Sequence, residues 1–305
     1  TKKTRSDKRY VSLDVAYGIR ARVHLTMHNY ADALKDAEAA LASTSSVPYS
    51  SAAVSKPTFI DIEDASWMWG ILITDKDRVS TTGICNFPSH MGSLNYGYAS
   101  VGGWRRISPK LYNQIPESDV RKGWFLDDTG VSVNLPAAAQ AYITKKGAPV
   151  YTQVKYGPMN DEWGSNNNAT DVILMRVEEM YLIKAEAQAM NNDVSGGVNT
   201  LNSFVNTYRD PSYKCTATTG EAVQEAVWHQ RRIEFWGEGL AYFDIMRLNK
   251  GVNRLGCGFP KTAVFNIAAG DPVQIYSIPN KEVQYNPLLE NNPLVSAPTP
   301  IPDEE

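Results

Sequence analysis

The chain has 305 residues, with Lys+Arg 30 against Asp+Glu 33 and a formal charge of −3. Its length suits one large domain or two ordinary ones, and 43% hydrophobic with 21% charged residues is an ordinary globular balance. No basic excess exists to neutralise phosphates, which excludes a dedicated nucleic-acid binder. No apolar run approaches the roughly 18–20 residues of a membrane-spanning helix, and the aromatic content excludes a disordered chain. The longest apolar stretch runs from Trp67 to Ile73.

Residues 11–48 read as a helical hairpin. Leu13, Ala16, Tyr17, Arg20, Ala21, His24 and Leu25 keep a period near 3.6, His28-Asn29 breaks it, and Tyr30, Ala33, Leu34, Ala37, Ala40 and Leu41 resume it. Small Ala residues permit close packing, and Tyr30, Ala33 and Ala40 have the spacing of the second helix of a tetratricopeptide repeat. The basic start Lys2-Lys3-Thr4-Arg5 lacks a following apolar stretch, so no signal peptide is read there.

Residues 49–165 change character. Short apolar runs alternate with Gly, Pro, Asn and Ser, so helix is expected only in short pieces such as Pro109–Ile115 and Pro136–Tyr142. Loops this long in a folded chain are commonly functional. Pyranose C–H faces stack on Trp and Tyr, while Asn, Asp and Arg bond the hydroxyls. Tyr96, Tyr98, Trp104 and Trp163, flanked by Gly, Ser and Asn, are therefore the candidate glycan-binding side chains. Trp67 and Trp69, among Met68, Ile71 and Ile73, read as core.

Residues 166–250 return to helix. Asp171 reads as the N-cap of a helix over Val172–Met190, followed by Val198–Tyr208 as its antiparallel partner and a further helix from Gly220 to Trp236. Residues 251–305 form an irregular Gly/Pro/Asn-rich tail. The expected fold class is mainly α: tetratricopeptide-like helix pairs packed against an irregular loop-rich part with short helices and few strands.

Catalytic and metal motifs are incomplete. His24 and His28 have the helical spacing of two zinc ligands, but Leu25 stands where a zincin needs Glu. Gly251 and Gly256 have a phosphate-loop gap, with Cys257 where Lys is required. The oxygen-rich run 160–168 offers calcium-type donors without the alternating acids of an EF-hand loop, and reads as a solvated loop. The carboxylate pairs Asp127-Asp128, Glu178-Glu179 and Glu234 with Glu238 leave a glycoside hydrolase open as an alternative. A protein-interaction scaffold with its aromatics in the core is another. Cys85, Cys215 and Cys257 are too few and too widely spaced to define a disulfide framework.

Three segments together resemble the SusD/RagB family of Bacteroidota outer-membrane glycan-binding lipoproteins. Residues 171–187, with Arg176, Glu179, Tyr181, Leu182, Ala185, Glu186 and Ala187, are similar to the family's R-x-x-E-x-Y-L-x-x-A-E-A helix. Arg231-Arg232-Ile233-Glu234-Phe235-Trp236-Gly237-Glu238-Gly239 followed by Asp244 and Arg247 is similar to R-R-x-E-F-x-x-E-G-x-R-x-x-D-x-x-R, with Leu240-Ala241 where the internal Arg usually stands. Ile278-Pro279 through Asn286-Pro287 to Asn292-Pro293 is similar to the family's closing motif. Arg231, Arg232, Glu234, Glu238, Asp244 and Arg247 lie at intervals that let them face one another, so they are expected to form one structural ion-pair network.

The resemblance implies one SusD-like domain over 1–305, without catalytic residues or a required cofactor. It implies oligosaccharide binding at the cell surface over a SusC-like TonB-dependent transporter. It also implies a lipid anchor on the outer membrane in the full-length protein, with the signal, the lipid-bearing cysteine and the first helix pairs outside this sequence.

Overall fold

The computed structural model describes residues 7–77, 86–293, 295, 296 and 298. The chain divides into two compact units, residues 1–107 with 111–239 and residues 108–110 with 240–305. Helix dominates the regular structure of the first unit, and the second is largely irregular.

In the first unit, α1 (Leu13–Thr26) and α2 (Tyr30–Ser43) form the first helix pair. His28 makes the turn in a left-handed conformation, φ 58°. Val15, Ala21 and Leu25 of α1 bury against Ala33, Ala37 and Ala40 of α2. Of the stripe read along α1, Ala21 and Leu25 are buried, whereas Leu13, Ala16 and Arg20 face solvent and Val15 takes the inner face. Arg20 adds a forked bond to Asp36, both contacts 2.6 Å.

A short α3 (Ser51–Val54) leads to strand β1 (Trp67–Ile71). The pieces α4 (Phe87–Met91), α5 (Pro109–Tyr112) and α6 (Ala137–Lys145) punctuate the loop-rich stretch. Trp67 is fully buried and Trp69 half-buried, both packed into the core.

The helix expected from Val172 begins five residues later. Val172–Arg176 is instead strand β2, antiparallel to β1 with Trp67 opposite Arg176 and Gly70 opposite Ile173. Asp171 does not cap a helix: its carboxylate accepts from the backbone N–H groups of Ile62 (2.8 Å) and Ile73 (2.7 Å). Val172 and Ile173 are β-branched and suit the pleat, and β1 supplies a partner that local periodicity does not reveal.

Helix α7 (Val177–Met190) then packs against α2 and is paired by α8 (Val194–Tyr208), with α9 (Gly220–Glu234) beyond. Asn192 at φ 67° turns the chain, and Asp193 caps α8 by accepting from the Gly196 N–H at 2.9 Å. A side chain at Gly197 would stand 2.7 Å from the Ala185 carbonyl and 2.8 Å from the Ala189 Cβ, so α7 and α8 approach only because it has none. Arg22 ties α1 to this second pair through Glu179 (2.8 Å) and the Leu174 carbonyl (2.7 Å).

In the second unit, α10 (Ala241–Arg247) precedes a two-stranded ribbon of β3 (Val252–Asn253) and β4 (Asn266–Ile267), then α11 (Asn280–Tyr285). Within it the Tyr242 hydroxyl donates to the Gln274 carbonyl, and Arg254 lies over the Phe259 and Phe265 rings. Cys215 of the first unit and Cys257 of the second are free thiols; Cys85 lies outside the described residues. No helix among the described residues is long and apolar enough to cross a membrane.

Candidate functional site

The aromatic surface is built on a satellite core of Leu94, Leu126, Ala139, Ile143 and Val154. The segment following α4 drives Leu94 into this core, which leaves the neighbouring Tyr96 and Tyr98 near the surface, 50% and 41% exposed. Trp104, Trp163 and Tyr142 of α6 pack half-buried against the same core. All four side chains singled out in the sequence therefore lie on one region. Backbone bonds join its two loops: Gly164 donates to the Leu94 carbonyl (2.7 Å) and Tyr96 to that of Ser165 (2.8 Å). The oxygen-rich run 160–168 is thus one wall of this surface, and Asn168 Oδ1 accepts from Asn95 Nδ2 at 3.1 Å. Among the described residues, no three His, Cys, Asp or Glu side chains gather where they could hold a metal.

Two glycines set the rings. A Cβ at Gly103 would fall 2.5 Å from the Tyr98 ring, and one at Gly164 (φ 82°) would fall 2.6 Å from that of Tyr142. Cations attend the rings as well. Lys146 Nζ stands 5.2 Å from the Tyr96 centroid and 5.7 Å from that of Tyr142, and the Arg105 guanidinium lies 5.5 Å from that of Tyr98. His90 stacks on Tyr98 at 4.7 Å, and its carbonyl accepts from Arg105 Nε at 3.1 Å. The surface thus offers partly exposed ring faces beside several N–H donors, the combination that grips a sugar's C–H face and hydroxyls. Sequence reasoning passed over Arg105, Lys146 and His90, because nothing in their spacing announces that they meet aromatic rings.

The charged motifs assemble elsewhere, in the interior. Glu234 accepts from Arg209 through both oxygens (2.7 and 2.8 Å), from Arg176 (3.0 Å) and from Arg121 (3.3 Å). Glu178 lies 3.1 Å from both Arg176 and Arg209. Glu238 takes Lys155 and a forked bond from Arg176, and Asp119 a forked bond from Arg121. Four cations meet four carboxylates, so the cluster is neutral. Burial alone would raise the Glu234 carboxyl, but Arg209, Arg176 and Arg121 hold it well below the ordinary range. Burial pushes the Lys155 ammonium down to about 8 despite Glu238, with the Phe59, Trp124 and Tyr156 rings within 5.5 Å.

Of the six residues expected to form one network, Glu234 and Glu238 stand in this cluster. Their cations come from positions 121, 155, 176 and 209. Arg231 lies instead against Phe235 and 4.0 Å from Glu179, and Arg232 lies over Trp228. Asp244 and Arg247 pair with each other at 2.8 Å, one helical turn apart on α10. Spacing along one segment reports only local neighbours, whereas these carboxylates are met by residues from distant loops. The carboxylates a hydrolase would draw from Glu178, Glu179 and Glu234 are buried and bound by arginines, unreachable by a sugar. His24 is likewise engaged, 3.7 Å from Asp36, and His28 stacks on Tyr30.

A family model described as the SusD family matches residues 121–294, more than half of the chain, including both charged motifs. The chain belongs to the SusD family. Solved SusD folds align with it nearly end to end. A SusD superfamily protein from Bacteroides thetaiotaomicron does so with a TM-score of 0.75 at 22% identity, over 96% of this chain and 62% of its own. A SusD-like carbohydrate binding protein from Bacteroides vulgatus gives 0.65 at 23%, over 92% and 52%. This SusD-family chain thus spans roughly half to three-fifths of the length of those structures, and the likeness at such identities is one of fold. No curated protein sequence matches it.

Proposed function

We propose that this SusD-family chain binds oligosaccharide without transforming it, through the surface formed by Tyr96, Tyr98, Trp104 and Trp163. The observation that carries this reading is that Tyr96 and Tyr98, 41–50% exposed, stand by Trp104 and Trp163 of the satellite core, with Arg105 and Lys146 beside the tyrosine rings. The Bacteroides vulgatus neighbour, described as a carbohydrate binding protein, supports it. The burial of most paired carboxylates in arginine bonds supports a non-catalytic role. The full-length protein acts at the outer-membrane surface, lipid-anchored and over a SusC-like TonB-dependent transporter. No metal takes part in the binding surface.

Affinity electrophoresis against starch, xylan, mannan, pectin and mucin glycans tests the binding role. Retardation by one glycan, lost in Tyr98→Ala or Trp104→Ala, is the expected result. Retardation that survives both substitutions sinks the assignment of this surface. Release of reducing sugar, abolished by Asp127→Asn, would instead favour the hydrolase reading. Co-purification of the full-length protein with a TonB-dependent transporter from outer membranes tests the partner.

A further inference from the structure

A second concavity lies in the first unit and shares no residue with the aromatic surface. It measures about 490 Å³, within the range of small-ligand clefts, and is walled by Tyr112, Tyr151, Asp127, Asp128, Asn134 and Val133. The Tyr112 and Tyr151 rings stand 5.2 Å apart at 58°, giving the cleft an aromatic wall. The Tyr112 ring lies in the core and the residue is 8% exposed, but its hydroxyl is not one of the sealed, unpartnered polar atoms of the described residues and stays open to the cleft. A hydroxyl open at the wall of a cleft can both donate to and accept from a ligand's polar group. Val133 and Val131 on the rim are 91% and 46% exposed, an apolar edge turned to solvent.

The charge of the cleft is set by which carboxylates are spoken for. Asp119 is held by Arg121, and Glu117 is paired with Lys122, whose ammonium also stands 5.0 Å from the Tyr112 centroid. Asp127 is pinned through one oxygen, which accepts from the Thr129 N–H (2.8 Å), the Thr129 hydroxyl (2.7 Å) and the Val131 N–H (3.0 Å). Its other oxygen and the exposed Asp128 remain without cationic partners, so the field is negative. Burial, together with Asp127, Glu117 and Asp128, pushes the Tyr112 phenol up to about 12, as a negative cleft requires.

We infer that this cleft is a second saccharide site, which takes uncharged sugar residues and rejects uronates. The partly exposed Tyr151 ring stacks a pyranose face, Asp127 and Asp128 accept its hydroxyls, and the Tyr112 hydroxyl completes the contacts. The carboxylate of a uronic acid would meet like charge here, whereas Arg105 and Lys146 on the other surface tolerate it. The inference rests on the chain being a glycan binder, and adds a site with the opposite charge preference.

An NMR titration of the whole chain separates the two sites. The probes are maltohexaose, xylohexaose, mannohexaose and cellohexaose, with oligogalacturonate as the charged comparison. Methyl signals of Val131 and Val133 report the cleft, and the indole N–H signals of Trp104 and Trp163 report the aromatic surface. At least one uncharged probe should shift the valine methyls while oligogalacturonate leaves them in place. Tyr112→Phe keeps the ring and the packing, and should weaken that response about tenfold by deleting one hydrogen bond. Valine methyls silent to all four uncharged probes, moved equally by oligogalacturonate, or unchanged in affinity by Tyr112→Phe, would overturn the site. Indole shifts with silent valines leave the first surface standing and remove the cleft; valine shifts with silent indoles do the reverse.

Discussion

Arg176 grips Glu238 with two parallel bonds, Nε to Oε2 at 3.0 Å and Nη2 to Oε1 at 2.8 Å. Arg176 ends β2 and Glu238 follows α9, so the pair joins the two charged family motifs across 62 positions of sequence. Both side chains are almost fully buried, where a guanidinium–carboxylate fork is both strong and geometrically selective. The motifs are thus two halves of one interior cluster, and what they encode is the fold.

Glu234 is the most heavily bonded carboxylate of that cluster, with three arginines on it. Glu234→Gln keeps the shape but leaves buried positive charge uncompensated. A loss of about 3–5 kcal/mol in urea unfolding is expected, against less than about 0.5 kcal/mol for an exposed control such as Glu282→Gln.

Acid should unfold the protein through the same groups. The Glu234 and Glu238 carboxyls are held below their unfolded value of 4.5 by their cations. Their contribution is therefore complete above that value and is lost as pH falls through the folded values. Glu238→Gln should cost most at neutral pH, and its deficit relative to the parent chain should narrow below about pH 4. Urea midpoints measured across that range check this, and a deficit independent of pH would contradict it.

Lys155 predicts a slope of the same sign on the alkaline side. Its ammonium is lowered from 10.5 to about 8, so between those values the unfolded chain holds the proton more tightly than the folded one. Stability from this group rises with pH across that window, by at most on the order of 3 kcal/mol. Lys155→Met removes the rise while Arg176 still holds both oxygens of Glu238. Chemical unfolding at about pH 7.5 and pH 9.5 is the measurement, and an unchanged slope in the variant would refute the assignment.

Gly103 tests the aromatic surface without touching a ligand. In Gly103→Ala the new methyl would stand 2.5 Å from the Tyr98 ring and displace it. Retardation by the cognate glycan should fall about tenfold, roughly 1.4 kcal/mol, with little change in melting temperature because the site is a half-exposed loop. Retained affinity would show that the Tyr98 position is immaterial to binding.

What the amino-acid sequence determined by itself is local or carried by motif. The period of Ala21, Leu25, Ala33, Ala37 and Ala40 specifies the first helix pair, because side chains three and four apart share a face whatever the rest of the chain does, while the inward turn of Val15 in place of Leu13 and Ala16 came from packing. The motifs at Arg176 to Ala187 and Arg231 to Arg247 identify the family, and short apolar runs broken by Gly, Pro, Asn and Ser mark the aromatic-rich loops. Tertiary structure decided the rest. Val172–Arg176 is a strand because β1, about a hundred positions earlier, pairs with it. Glu234 is met by Arg121, Arg176 and Arg209, since burial lets a charge choose any partner the fold brings near. Tyr96, Tyr98, Trp104 and Trp163 were legible as aromatics in polar loops, but the joining of the Tyr96 and Trp163 loops, with Arg105 and Lys146 beside the tyrosines, depends on long-range loop packing. Such packing leaves no period in the sequence to read.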